Sequence, residues 1–240
     1  MAEDRLDKII ALNCSLSRRD ARRLIKEGKV RVNGEPAKEA QMPVDISADT
    51  IEADGFDFTP REHIYIMMNK PEGVISASDD KNKKTVIDLV PPGLKRRSLF
   101  PAGRLDRDTT GLIIITDDGD FTHRMLSPSH HVFKRYTAEI SEPLSEESVA
   151  LIESGITLDD GTECLPARVE AYSENGVNYM ALEIREGKYH QVKRMAAACG
   201  TKVLRLRRVK IGALCLDPSL APGECRELTD EELKLLFENE

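Results

Sequence analysis

The residue of this sequence best placed to do chemistry is Asp106, in the stretch Phe100-Pro101-Ala102-Gly103-Arg104-Leu105-Asp106-Arg107-Asp108-Thr109-Thr110-Gly111. Pro101 and Gly103 break regular structure just ahead of Arg104, so Arg104 to Asp106 should lie on a loop. Gly111 then opens Leu112 to Thr116, a β-branched apolar run that predicts a buried strand. A carboxylate beside an arginine, on a bend anchored in core structure, is equipped to act as a nucleophile or a general base. The spacing of Asp106, Asp108, Thr110, Gly111, Ile113 and Asp117 also matches a calcium-binding EF-hand loop. That loop needs a helix on each side, which Pro101 and Gly103 forbid, and Asp117 stands where the longer Glu is wanted. The match is accidental.

Other chemistries find less support. His130 and His131 are neighbours on a predicted loop, so their side chains diverge, and no further ligand is spaced to join them. A surface role suits them better than a metal. No phosphate-binding glycine loop, dinucleotide fingerprint or G-x-S-x-G elbow occurs. The five cysteines, Cys14, Cys164, Cys199, Cys215 and Cys225, are scattered and odd in number. They fit reduced thiols in a cytoplasmic protein rather than a disulfide frame or a zinc site. No apolar run has the length of a membrane span, and Met1 to Asp7 holds no secretory core.

The net charge of −7 over 240 residues first argues against a polyanionic partner. Its distribution reverses that. Leu16 to Val32 carries seven basic and two acidic residues, a local +5 that leaves −12 on the rest. Lys188 to Lys210 carries eight basic residues and no acidic one. Two concentrated basic patches on an acidic chain point to a polyanion bound at defined places.

The elements that must position these groups follow from periodicity and punctuation. Asp4 to Leu12 predicts a short amphipathic helix. Ser17 caps a second, with Ala21, Leu24 and Ile25 inward and Gly28 as its stop. Arg18, Arg22 and Lys26 recur on its outer face, flanked by Arg19 and Arg23, as a cationic ridge. Val30 to Val32 leads into Asn33-Gly34, a type I′ hairpin signal. Two short helices, the second basic, followed by a hairpin, resemble the S4 RNA-binding domain. The pattern loosens between Gly55 and Arg61, which sets domains at 1–58 and 59–240. Beyond it the sequence predicts strands at His63 to Met68, Val132 to Ile140, Val177 to Ile184 and Val203 to Val209. It predicts helices at Thr85 to Leu89, Phe121 to Leu126, Ser145 to Ile152 and Tyr189 to Cys199, and a last one capped by Thr229 and Glu232. Strands and helices mix without the alternation of a doubly wound sheet. The fold class is therefore α+β: a small α/β S4 domain followed by a mixed, mostly antiparallel sheet.

Gly103-Arg104-Leu105-Asp106 with Thr109-Thr110-Gly111-Leu112, then Lys134-Arg135-Tyr136, then Gly187-Lys188-Tyr189-His190-Gln191-Val192-Lys193, resemble the successive motifs of the pseudouridine synthases. Asn69-Lys70-Pro71 and Ser127-Pro128-Ser129-His130-His131, with the S4 domain in front, are similar to the RsuA branch, which acts on 16S ribosomal RNA. The resemblance implies isomerisation of a uridine in ribosomal RNA, free or in an assembling small subunit, by a cytoplasmic monomer that needs no cofactor. Breaking N1–C1′, turning the base and rejoining it through C5 gains and loses no atoms. By position, Asp106 becomes the nucleophile, Lys193 its ion-pair partner, and Tyr136 the group that stacks on the base and relays a proton. Leu206 packs beside the pocket, and Arg104 fills the space left by the flipped-out nucleotide. Lys70, His130, His131, Lys188, His190 and Gln191 are expected to contact RNA, as are Arg18, Arg19, Arg22, Arg23 and Lys26. The alternatives are a 23S enzyme of the same superfamily, a non-catalytic S4-type assembly protein, and a glycoside hydrolase, for which Asp108 is too near Asp106 to be the opposed second carboxylate.

Overall fold

Thr109–Thr116 is buried along nearly its whole length, and Leu112 to Ile115 have no exposed surface. Leu112 and Ile114 enter a core with Met67, Phe121, Met125, Ile211 and Leu236, while Ile113 and Ile115 point to the opposite, equally buried face. A continuous apolar run suits a strand covered on both sides, each Ile contributing about 1.5–3 kcal/mol on burial. The computed structural model describes residues 3–96, 98–127 and 132–238. Among these, no helix is long and apolar enough to cross a membrane.

The chain forms two compact units, one of residues 1–64 with 91–99, the other of 65–90 with 100–240. In the first, helices Leu6–Asn13 and Arg18–Lys26 pack on a four-stranded antiparallel sheet ordered Glu35–Pro36, Val30–Val32, Ile51–Ala53, Phe56–Phe58. Ser17 caps the second helix by accepting from the Asp20 amide, and Asn33 and Gly34 both have positive φ, as a type I′ turn requires. Glu3–Arg5, expected in part as helix, instead pairs with Pro43–Asp45. Residues 91–99 belong to this unit although the chain on both sides of them belongs to the other. The buried Arg96 guanidinium donates to Asn13 Oδ1 at 2.7 Å and to the carbonyls of Arg61 and Glu62 at 3.2 Å.

The second unit is a nine-stranded sheet with the order Arg168–Glu174, Val177–Ile184, Lys134–Ile140, Val203–Ile211, Thr109–Thr116, Tyr65–Lys70, Cys225–Glu227. Leu214–Cys215 pairs with 203–211, and Phe100–Pro101 with 109–116. The α+β expectation holds. Among the described strands of this sheet, every pairing is antiparallel except that of Thr109–Thr116 with Val203–Ile211, where Leu206 faces Thr109 and Arg208 faces Gly111. Helices Gly119–Leu126, Glu146–Ser154, Gln191–Ala198 and Asp230–Leu235 flank the sheet; Ser145 caps the second and a Thr229–Glu232 capping box the last. Thr85 to Leu89 shortens to one 3₁₀ turn, Ile87–Leu89, ended by Pro91 and Pro92.

Gly111 is where the parallel pair is tightest. Its φ is +99°, and a Cβ there would lie 2.2 Å from the Arg208 carbonyl oxygen. Gly111→Ala should therefore cost about 2–4 kcal/mol of stability and lower Tm by roughly 5–15 °C in a thermal melt. Gly119→Ala, at the start of a helix with nothing within 4 Å, is the control and should leave Tm level or slightly raised. Equal effects at the two sites would show that the close approach is not what requires Gly111.

Candidate active site

The Asp106 loop is held from beneath by buried polar groups. Ser76 Oγ donates to the Leu105 carbonyl at 2.9 Å and accepts from the Leu105 amide at 3.0 Å. The Thr109 amide closes the turn on the Asp106 carbonyl, and Arg107 exchanges hydrogen bonds with the Gly73 backbone through its carbonyl and Nε. Lys70 is fully buried, and its ammonium donates to the carbonyls of Pro71, Arg107 and Thr109 at 3.0, 3.3 and 2.8 Å. This corrects the expectation that Lys70 contacts RNA: it is an internal brace under the loop. Burial pushes its pKa down to about 8, against the opposing pull of Asp108, Asp106 and Glu72.

Above the loop, the Gln191–Ala198 helix places Lys193 Nζ 3.1 Å from Asp106 Oδ2 and 2.6 Å from Asp108 Oδ1. Burial works against the Lys193 charge, but hydrogen bonds to Asp108 and Asp106 outweigh it and raise its pKa, and the same contact lowers that of Asp108. His190 Nε2 lies 3.5 Å from Asp106 Oδ1. The predicted helix from Tyr189 begins only at Gln191, because His190 is left-handed, with φ +49°. Gln191 is buried and organises this turn, its Oε1 accepting from the Lys188 amide and its Nε2 donating to Glu186 Oε1 at 2.6 Å. Lys188 pairs with Glu186 Oε2 at 2.8 Å and also donates to the Glu163 carbonyl.

Tyr136 reaches the same place from the strand Lys134–Ile140. A register shift between Arg135 and Tyr136 sets Tyr136 opposite Arg208, and a second between Glu139 and Ile140 skips Leu204. The second shift turns Leu204 out to solvent while Leu206 stays buried, and Arg208, two residues further on the same face as Leu206, is buried with it. Arg208 Nε donates to the Leu112 carbonyl at 2.8 Å and Nη1 to the Tyr136 hydroxyl at 3.4 Å, while among the described residues its Nη2 has no partner. Sequence reasoning missed Arg208 because an arginine is rarely buried, although its two-residue spacing from Leu206 puts it on the same inward face. Asp106, Tyr136, Lys193, Leu206, Arg104, His190, Lys188 and Gln191 all line one cleft of about 80 Å³. A carboxylate fixed by an ammonium, a phenol held by a guanidinium and an apolar wall suit attack on a bound planar ring followed by a proton transfer. His130 and His131 lie outside the described residues.

The basic helix of the first unit has its own buried acid, which sequence reasoning also missed. Asp7 has no exposed surface and accepts from Arg22 at 2.7 Å, from Arg18 at 3.1 Å and from Arg5 at 3.1 Å. Burial opposes its ionisation, yet the three guanidinium groups hold its pKa down to about 2. Arg23 pairs with Asp20 at 3.4 Å, whereas Arg19 and Lys26 are exposed and have no ion pair among the described residues.

Residues 64–198 match the family of RNA pseudouridylate synthases, and residues 4–51 match the S4 domain. The chain belongs to the RNA pseudouridylate synthase family, with an S4 domain at its front, and its enzyme class is that of a pseudouridine synthase. An uncharacterized RNA pseudouridine synthase of Bacillus subtilis is 44% identical over 98% of each chain. The ribosomal small subunit pseudouridine synthase A of Haemophilus influenzae is 41% identical over 97% of this chain and 99% of its own. That of Escherichia coli is 39% identical over 95% and 98%. A crystal structure of a pseudouridylate synthase superposes with a TM-score of 0.66 at 39% identity, covering 97% of this chain and 99% of that one.

Lys70 supplies a test of the brace. Its pKa is lower in the fold than in the unfolded chain, so between about pH 8 and 10.5 the unfolded state binds the extra proton and stability from this group rises with pH. The stability of the wild type minus that of Lys70→Met, from urea unfolding, should therefore grow across that window and be constant below it. A flat difference would mean that the ammonium is not buried.

Proposed function

We propose that this protein converts one uridine of small-subunit ribosomal RNA to pseudouridine, with Asp106 as the nucleophile acting on a flipped-out nucleotide. The observation that carries this reading is the Lys193–Asp106 ion pair in one cleft with Tyr136 and Leu206. The names of the similar small-subunit enzymes support the choice of RNA. Asp106 adds to the nucleoside as the N1–C1′ bond breaks. The detached base turns against Leu206 and Tyr136, C5 bonds to the sugar as the bond to Asp106 breaks and frees the carboxylate, and N1 takes up a proton in place of the one that C5 will lose. The hydrogen on C5 then leaves, with the Tyr136 hydroxyl, held by Arg208, accepting or relaying it. Lys193 orients the carboxylate throughout, and Arg104, exposed at the rim, occupies the space vacated in the RNA. A domain of residues 1–58 supplies RNA affinity and residues 59–240 the chemistry, in a cytoplasmic monomer acting on RNA or an assembling subunit.

The direct assay uses RNA tritiated at uridine C5, with transcripts of small- and large-subunit rRNA as separate substrates. Tritium release with pseudouridine from the small-subunit transcript is expected; modification of the large-subunit transcript alone would reassign the target. Asp106→Asn should lower turnover by at least about 10⁴-fold with little change in RNA affinity. Lys193→Met should lower kcat by about 10²- to 10³-fold, with KM nearly unchanged and partial recovery in Lys193→Arg. Asp108→Asn should keep most activity, because Asp108 is largely exposed and its pairing is screened. If Asp108→Asn were the inactive variant, the nucleophile would be misassigned.

RNA capture by the basic helix should rest on Arg19 and Lys26, since Arg18 and Arg22 are committed to Asp7. The double variant Arg19→Ala, Lys26→Ala should flatten log K against log salt by roughly 1.4–1.8, the release expected for two phosphate contacts. An unaltered slope in a filter-binding titration would move RNA capture to the basic segment after Lys188.

A further inference from the structure

Tyr189 is the most exposed aromatic or large aliphatic side chain among the described residues, at 76%. Single exposed apolar side chains are ordinary on a soluble surface. This one differs by its setting. Its ring is stacked on the imidazole of His190, with centroids 3.8 Å apart and planes 19° from parallel. His190 in turn reaches to 3.5 Å from Asp106, at the wall of the cleft. The turn that presents the ring is rigid. The Gln191 amide donates to the Lys188 carbonyl, the Arg194 amide to the His190 carbonyl, and the Gln191 side chain ties the Lys188 amide to Glu186. His190 adopts φ +49°, a conformation that costs an L residue energy and persists only where its surroundings enforce it.

The nearby cations are not free to do the work of this ring. Lys188 is paired with Glu186, Lys193 with Asp106 and Asp108, and Arg194 with Asp160 at 2.5 Å. What remains open to a ligand is a flat, fixed π-surface beside the cleft mouth. Tyr136 and Leu206 are buried in the cleft wall and suit the base that enters. Tyr189 lies outside that wall.

We propose that Tyr189 is a stacking subsite for the base next to the reacting uridine in the RNA strand. The inference rests on the reading that the cleft takes a uridine from RNA. Extruding a nucleotide strips its neighbour of a stacking partner, and an exposed aromatic face replaces that partner without regard to which base it is. The subsite thus sets the register of the strand over the cleft, and its ligand class is a single unpaired nucleobase.

The modified uridine is first mapped on rRNA transcripts treated with the wild-type protein. Three synthetic fragments carrying that site are then compared: the parent, one abasic at the 5′ neighbour and one abasic at the 3′ neighbour. Tyr189→Ala should lose about 5- to 150-fold in kcat/KM on the parent, mostly through KM. Tyr189→Phe, which keeps the ring, should recover the loss. On one abasic fragment the Ala variant and the wild type should become equal, because the base that stacks is already gone. Wild-type behaviour of Tyr189→Ala on the parent overturns the proposal. An equal Ala penalty on both abasic fragments also overturns it, since the ring would then only support His190. A wild-type protein that forms no pseudouridine in any rRNA transcript defeats the functional reading itself, and the subsite with it.

Discussion

One parallel pairing in an otherwise antiparallel sheet governs where every group of the cleft stands. Antiparallel neighbours can be joined by a tight turn, but parallel ones need a long crossover. Here the crossover from Thr109–Thr116 to Val203–Ile211 contains the strand that carries Tyr136 and the helix that carries Lys193. The pairing begins at Thr109 opposite Leu206, so the loop just before Thr109 opens beside Leu206. Asp106 is therefore delivered to the end of the strand pair, where the returning chain can close around it. The pair can form only because Gly111 lets the Arg208 carbonyl approach to a distance that excludes any side chain.

Buried charge serves placement in both units, by different means. Lys70 has no carboxylate within ion-pair distance among the described residues and spreads its charge over three carbonyls of the chain around Asp106. Asp7 gathers three arginines that would otherwise repel one another, Arg18 and Arg22 from one helix and Arg5 from the strand before the other. Removing one member of either set would leave buried polar groups without partners, which costs more than the intact interaction contributes. Each charge fixes local geometry: the loop in one case, the spacing of a cationic surface in the other.

Much of this was legible in the sequence where a residue type has one structural use. Ser17, Ser145 and the Thr229–Glu232 pair cap helices, and Asn33-Gly34 takes the turn that only such a pair adopts easily. The apolar run after Gly111 announced a doubly covered strand. The motifs that brought Asp106, Tyr136, Lys193 and Leu206 together were read by resemblance, and the fold gathers them in one cleft. What stayed hidden depends on partners distant in the chain. Lys70 looks like a surface lysine until three carbonyls are brought to it. Arg208 looks solvent-facing by its charge, but it shares the inward face of Leu206 and meets the Leu112 carbonyl there, while a register shift turns Leu204 outward. His190 reads as helical by its neighbours, but it is left-handed, and the helix starts only at Gln191, whose side chain holds the Lys188 amide.

The segment 91–99 makes the N-terminal unit more than a prefix. Arg96 fills its hydrogen bonds with Asn13, Arg61 and Glu62, so a stretch encoded inside the synthase half completes the front unit. The two halves are thus interleaved in the gene as well as in the chain. A recombination event that joined this front unit to another enzyme at residue 64 would leave the segment behind, and the recipient would inherit an unfinished module. An exchanged front unit would keep the Arg96 hydrogen bonds only if both pieces travelled together.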